Sequence, residues 1–275
     1  MDICIIAGEG NLPKILAKKS KDSLVICVKG LSNLNDFQNP RKEIVITELD
    51  EIIKLLTKYN IKKIIFSGKF FRPESIKYIF NNTAKSIFEN IKNKGDNELL
   101  EIIKSFFVSK GFEIIPPTYF LNENIFIKDE IICKNYDELK SNYLTESSKH
   151  SLKILNQLSK FDVGQALVIS GKHVIGIEGL EGTNDLITRC SKLFNNHLKA
   201  KSDYGPILAK FPKKNQSLDL DMPVVGLETV KLCFKNNYLG ISVSLKGTLI
   251  LDQKEIIDFC KNNEFLFHTI GDSNF

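Results

Sequence analysis

Between Gly164 and Gly226 the chain sets small, acidic and basic residues at spacings suited to phosphate chemistry. Gly164-Gln165 precedes an apolar run, followed by Ile177-Glu178-Gly179-Leu180-Glu181-Gly182-Thr183 and Lys210-Phe211-Pro212-Lys213. The segment closes on Asp221-Met222-Pro223 and Gly226. Apolar runs over 166–169 and 174–177 flank Ser170-Gly171-Lys172-His173, a hairpin signal. The Gly182-Thr183 step falls at the start of a predicted helix, where backbone N–H groups are free to meet an anion. Carboxylates and lysines gathered around such a step suit a phosphate or a metal–phosphate pair.

Each of these residues also has a plainer reading. Glu178 and Glu181 bracket Gly179, and a glutamate pair at a hairpin edge is ordinarily solvated, although the neighbouring glycines imply that something approaches closely. Thr183 reads as an N-cap, a phosphate ligand or both. Asp221 in Asp-x-Pro reads on its own as a turn-stabilising group. Lys69 and Arg72 stand just past the fourth predicted strand, where open α/β sheets bind ligands, and read equally well as an exposed cationic loop. Gly8-x-Gly10 after the first strand invites a dinucleotide reading. The fingerprint, however, needs a third glycine where this chain has Pro13, and an acid where the second strand ends in Lys29-Gly30. What remains is a tight strand-to-helix turn, or a turn whose backbone approaches a nucleotide, with Pro13 suited to a first helical turn.

Taken in order, these residues resemble the UDP-2,3-diacylglucosamine pyrophosphatase family of bacterial lipid A biosynthesis, the type unrelated to calcineurin-like phosphoesterases. The similarity rests on Asp162-Val-Gly-Gln, Ile-Glu-Gly-Leu-Glu-Gly-Thr, the lysine-rich strand end and Asp-Met-Pro-Val-Val-Gly. Upstream it continues through Gly8-Glu-Gly-Asn-Leu-Pro13, Gly68-Lys-Phe-Phe-Arg-Pro73 and Gly95-Asp-Asn-Glu-Leu-Leu100, so it spans nearly the whole chain. The resemblance implies metal-dependent hydrolysis of UDP-2,3-diacylglucosamine with Mg²⁺ or Mn²⁺, and it makes Asp221 the catalytic aspartate, as metal ligand or water-orienting group. It implies substrate contacts from Gly10, Leu12, Pro13, Lys69, Gln165, Glu181, Gly182, Thr183, Lys210 and Gln216. Two departures stand beside Asp221: Ser217 replaces an acid and Asp219 replaces an arginine. If the same phosphate cradle is used here, Asp219→Arg is expected to keep or raise activity. Asn184-Asp185 also departs from the family, which has Asp directly after the Thr.

Composition sets the outer bounds. The 275 residues suffice for two domains, with 43% hydrophobic and 26% charged residues, ordinary for a globular chain. The net charge of +5 comes without a dense basic stripe interleaved with aromatics, so nucleic acid is not an expected partner. A mild basic balance is compatible with an anionic membrane surface. The six cysteines show no C-x-x-C pair and read as small reduced core residues, and the four histidines show no metal-ligand spacing. No run approaches the roughly 18 apolar residues of a spanning helix, and the chain opens without a cationic leader. The expected location is cytoplasmic, with peripheral contact at the inner membrane and a homodimer left open.

The elements that must position these residues follow from periodicity. Short β runs over 3–7, 24–28, 44–47 and 64–67 alternate with helical spacing over 12–19 and 49–59. Two further helices are expected around 75–92 and 97–110, then a strand over 112–115. Such alternation predicts a parallel sheet covered on both faces, a Rossmann-like α/β domain over residues 1–132. Residues 133–275 read as an α+β domain. A long polar helix over 136–160 leads to the hairpin, a helix over 184–196 and a strand over 207–211. After a turn over 216–226 come a helix over 227–236, strands over 240–245 and 248–251 paired through Lys246-Gly247, a helix over 254–263 and a strand over 265–268. The ligand is expected in a cleft between the domains. Two other readings stay open: a nucleotide-cofactor oxidoreductase on the first sheet, and a non-catalytic module binding nucleotide sugars or lipid phosphates.

Overall fold

The structure, a computed structural model, describes residues 2–70, 96–126, 128–161, 163–214 and 217–271. Arg72, Pro73, the helix expected over 75–92, Asp162 and Gln216 lie outside the described residues. The chain divides into two compact units, Met1–Asn122 with Ser217–Asp221, and Glu123–Gln216 with Met222–Phe275. The fold class is the one expected: a five-stranded parallel sheet with helices, then a mixed sheet with helices.

The first unit runs β1 (Ile3–Ala7), α1 (Leu12–Lys19), β2 (Leu24–Val28), β3 (Arg41–Ile44), α2 (Leu49–Lys58), β4 (Lys63–Ser67), α3 (Asp96–Ser109) and β5 (Glu113–Ile114). Its strands lie in the order β3-β2-β1-β4-β5, all parallel. Every residue of β1 and β2 is buried, as near-continuous apolar strands covered on both faces require. Helix α2 buries Leu49, Ile52 and Leu56, one stripe at helical spacing. Each fully buried Leu or Ile contributes on the order of 2 kcal/mol through apolar burial.

One strand sits three residues earlier than expected. Arg41–Ile44 pairs with Val25–Val28, although Arg41, Lys42 and Glu43 are exposed. An edge strand tolerates such charges because only one side of it is paired. The more apolar Val45 and Ile46 are spent on entry to α2, where Glu48 N–H donates to Val45 O at 2.9 Å.

In the second unit, β6 (Glu130–Ile132) and α4 (Glu138–Leu158) lead to the hairpin of β7 (Ala166–Ser170) and β8 (His173–Ile177). Helix α5 (Gly182–His197), β9 (Ile207–Lys210), β10 (Val224–Val225) and α6 (Leu227–Lys235) follow. The chain then forms β11 (Gly240–Ser244), β12 (Leu249–Ile250), α7 (Gln253–Asn262) and β13 (Leu266–Ile270). The six-stranded order is β6-β13-β11-β9-β7-β8, with a parallel centre of β13, β11 and β9 and antiparallel flanks. Alternating strand residues serve two cores: Ala166, Val168 and Leu208 pack with α5, α6 and α7, while Leu167, Ile169, Ile207 and Ala209 pack with α4. All six cysteines are free and five are buried, the reduced core role expected of them.

The hairpin expected at Lys246-Gly247 does not form. Strand β11 lies between β9 and β13, whereas β12 pairs in parallel with β10 in a separate two-stranded sheet. Leu245 N–H still bonds Ile270 O at 2.8 Å; Lys246 then takes φ +61° and Leu249 N–H bonds Pro223 O at 2.8 Å. The Lys-Gly step therefore carries the chain from one sheet to the other.

Helix α4 looks polar in sequence, yet Ser141, Ser147, Ser148 and Ser151 are buried. Two of these hydroxyls satisfy themselves on the helix, Ser148 donating to Leu144 O at 2.6 Å and Ser151 to Ser147 O at 2.8 Å. Beside them His268 is buried, with Nδ1 3.3 Å from Ser242 Oγ and 3.4 Å from Ser148 Oγ. Burial depresses the imidazole pKa below its ordinary 6.5, while Asp129, 3.7 Å from Nε2, acts in the opposite sense. With the folded-state pKa depressed, the unfolded chain binds more protons below about pH 6.5, so stability rises with pH through that window. Chemical denaturation at pH 5.5 and 7 is expected to show wild type weaker at pH 5.5. His268→Gln should flatten that slope, and an unchanged slope in the variant would remove His268 as its source.

Candidate functional site

In the first unit the chain runs outward from β1 to β3 and returns to β4 beside β1. The β1–β4 junction is thus the topological switch point, where open sheets bind ligands. The loops after these two strands are fastened together. Gly8 N–H donates to Ser67 O at 2.8 Å, and Glu9 and Lys69 exchange backbone bonds of 2.9 Å in each direction. Glycine is required on both sides, because a Cβ on Gly8 would lie 2.4 Å from Lys69 O and one on Gly68 would lie 2.6 Å from Glu9 O. Gly10, at φ +111°, turns the chain into α1, and Pro13 is buried in the first helical turn with Leu12 ahead of it. Gly10, Leu12, Pro13 and exposed Lys69 therefore gather at one end of the sheet. A cavity of about 500 Å³ opens alongside, lined by Gly10, Asn11, Lys14, Ser32 and Asp36 among others, with Lys14 and Asp36 paired at 2.9 Å.

The same unit holds the turn Ser217–Asp221. Leu220 is buried in the core of the first sheet, and the N–H groups of Leu220 and Asp221 donate to Ser217 O at 3.0 and 3.1 Å. Asp221 itself is half-buried.

The second unit builds its cluster from a hairpin edge and a helix start. The Thr183 hydroxyl, in the first turn of α5, donates to Glu178 Oε1 at 2.6 Å and accepts from Lys210 Nζ at 3.0 Å. Glu178 Oε2 accepts the Gln165 backbone N–H at 3.2 Å. The strands set this geometry, because Ala166 faces Lys210 across β7 and β9 and Leu167 faces Ile177 across β7 and β8. Gly164 packs against the Glu178 backbone so closely that a Cβ would lie 2.3 Å from Glu178 O. Only a glycine at 164 therefore leaves room for the Glu178 backbone beside it. Gly182, at φ +77°, makes the turn into α5.

The two glutamates divide their work. Arg189 donates from Nε and Nη2 to Glu181 Oε1 at 2.9 and 2.7 Å, and its guanidinium holds the Glu181 carboxyl below the usual carboxylate range. Nη2 also reaches Ile177 O at 2.9 Å, so Arg189 ties the loop to the strand end. Glu178 is the carboxylate wired to Thr183 and, through it, to Lys210. Sequence reading missed Arg189; its signal was a basic residue two helical turns along α5 from an acid at the helix start. Asp185 is exposed, as is His173 in the hairpin turn.

Among the described residues no three His, Cys, Asp or Glu side chains gather into a metal-holding group. Glu178, Glu181 and Asp219 are engaged by Thr183, Arg189 and Lys104 respectively.

A parallel sheet closed by a glycine-fastened switch point, and a mixed sheet that sets a carboxylate–hydroxyl–ammonium chain at a helix start, define an α/β protein of two units. Residues 2–124 match the LpxI N-terminal domain and residues 137–267 the LpxI C-terminal domain; the chain belongs to the LpxI family. It is 23% identical over 261 residues to a protein of Caulobacter vibrioides named UDP-2,3-diacylglucosamine pyrophosphatase LpxI, over 92% of this chain and 91% of that relative.

Proposed function

We propose that the chain hydrolyses UDP-2,3-diacylglucosamine to UMP and 2,3-diacylglucosamine 1-phosphate in lipid A biosynthesis. The observation that carries this reading is the chain Glu178–Thr183–Lys210, which holds an ammonium group at the first turn of α5. An ammonium and a helix N-terminus together offset phosphate charge, the main electrostatic requirement of phosphoryl transfer. Family membership supports the substrate, through the activity named for the Caulobacter relative.

In the proposed reaction the oxygen of water forms a bond to the β-phosphorus, and the bond from that phosphorus to the bridging oxygen breaks. The bridging oxygen leaves with UMP. Asp221 orients the water or takes its proton, while Lys210 and the Thr183 hydroxyl bind diphosphate oxygens. Lys69 adds positive charge from its exposed loop, and the backbone at Gly10, Leu12 and Pro13 approaches the nucleotide. Mg²⁺ or Mn²⁺ belongs to the proposal. Asp221 would hold it with the substrate's own phosphate oxygens, the manner in which Mg²⁺ is commonly bound, and the ion would neutralise diphosphate charge. Leu180, fully exposed between Gly179 and Glu181, offers apolar surface to a substrate bearing acyl chains. Among the described residues no helix is long and apolar enough to cross a membrane, which suits peripheral work on a lipid substrate at the cytoplasmic face of the inner membrane.

Purified protein with Mg²⁺ or Mn²⁺ is expected to release UMP from this substrate, and in ¹⁸O-labelled water the label should enter the sugar 1-phosphate. EDTA should stop the release and added metal should restore it. Absence of UMP release would leave a non-catalytic binding protein, and activity unaffected by EDTA would remove the metal from the scheme.

A further inference from the structure

We propose that Lys104 is the positioning residue for Asp221, an inference that rests on the hydrolase reading above. Lys104 comes from α3 of the first unit and donates from Nζ to Ser217 Oγ at 3.0 Å and to Asp219 Oδ2 at 3.3 Å. Both acceptors stand more than a hundred residues further along the chain. They belong to Ser217–Asp221, the one segment beyond Asn122 that clusters with the first unit.

Three attachments fix this short turn. Lys104 clamps its first and third residues, Leu220 is buried among the core side chains of the first sheet, and the amides of Leu220 and Asp221 close on Ser217 O. Asp221 follows directly on the buried Leu220, so the order of the turn bears on where its carboxylate lies. The side chains of Lys104 and Asp219 are 26% and 43% exposed, and ion pairs that exposed contribute little to global stability. The contact instead adds a polar clamp to the anchoring of the turn by Leu220 and so favours one arrangement of it. Catalytic groups need such fixing, because a displacement of about 1 Å costs up to about 10²-fold in rate.

The clamp also engages both positions where the chain departs from the resembled family. With Ser217 in place of an acid and Asp219 in place of an arginine, the turn presents a hydroxyl and a carboxylate, and Lys104 supplies the matching cation. Asp219 is therefore an anchor, and Asp219→Arg would set two cations against each other at the same spot. If Lys104 holds the turn, Asp219→Arg is expected to loosen it, the opposite of what a shared phosphate cradle predicts.

The test compares Lys104→Met, Lys104→Arg and the exchanged pair Lys104→Asp with Asp219→Lys in the full chain. Steady-state UMP release gives kcat and KM, and amide hydrogen exchange reads the N–H groups of Leu220 and Asp221. Lys104→Met is expected to lower kcat about tenfold, with KM within about twofold, and to speed exchange at both amides. Lys104→Arg, with enough donors for both acceptors, and the exchanged pair should each recover most of both quantities. Unchanged exchange in Lys104→Met would overturn the clamp. Faster exchange with a change in KM alone would also overturn the proposal, because Lys104 would then act on substrate binding. If wild type releases no UMP the functional reading fails, and the exchange data still decide whether Lys104 holds the turn.

Discussion

Lys210→Met is expected to lower kcat/KM for UMP release by about 10²- to 10³-fold, the scale of losing one fixed donor to a developing charge. Met preserves the length and apolar stem of the side chain, so the β7–β9 pairing of Ala166 with Lys210 should persist. The Thr183–Glu178 bond of 2.6 Å does not depend on the ammonium and should survive as well. What disappears is the cation at the first turn of α5, leaving the Glu178 carboxylate uncompensated beside an anionic substrate. Thr183→Val should cost less, because it removes the link but leaves the lysine. The comparison requires circular dichroism to show each variant folded. A loss below about threefold in Lys210→Met would mean that this lysine only completes the Thr183–Glu178 network.

How much of this was legible in the sequence depends on whether the controlling contact is local. Strands β1 and β2, the first two helices and the β7–β8 hairpin are set by runs of apolar residues and adjacent turn signals, and they lie where periodicity put them. Strand β3 was misplaced because its ladder to β2 outweighs its own charged composition, which no window of the sequence reports. The Lys246-Gly247 step shows the same limit. Two short apolar runs around a Lys-Gly turn look alike whether they pair with each other or part into different sheets. Here β11 finds both its partners in parallel strands distant in sequence, so the choice is made by tertiary pairing.

The site divides along the same line. Gly8 reads as a tight turn after the first strand, and Gly8, Gly68 and Gly164 each meet backbone within a distance that excludes a Cβ. The spacing of Glu178 and Glu181 could not say which carboxylate serves Thr183, because that depends on Arg189 claiming Glu181 from the far side of the loop. Lys104 had no local signal at all, lying in the middle of an ordinary amphipathic helix. It acquires meaning only when the chain brings Ser217 and Asp219 back to it.

Asp221→Asn is expected to lower turnover at saturating substrate and metal by at least about 10²-fold, the usual scale of losing one acid–base group. Asn keeps the shape of the side chain and loses the charge that would hold a metal or orient water. The turn should survive, because its bonds from Leu220 and Asp221 run through backbone N–H groups to Ser217 O. Leu220 also remains in the core of the first unit, so a melting temperature near that of wild type is expected. Substrate affinity should change little if Thr183 and Lys210 carry the diphosphate, placing the loss in kcat rather than KM. A purely structural Asp221 predicts the opposite result, since Asn serves turns nearly as well as Asp. Turnover within a few fold of wild type, at saturating substrate and metal, would therefore confine Asp221 to the turn and move the search for the water-activating group elsewhere.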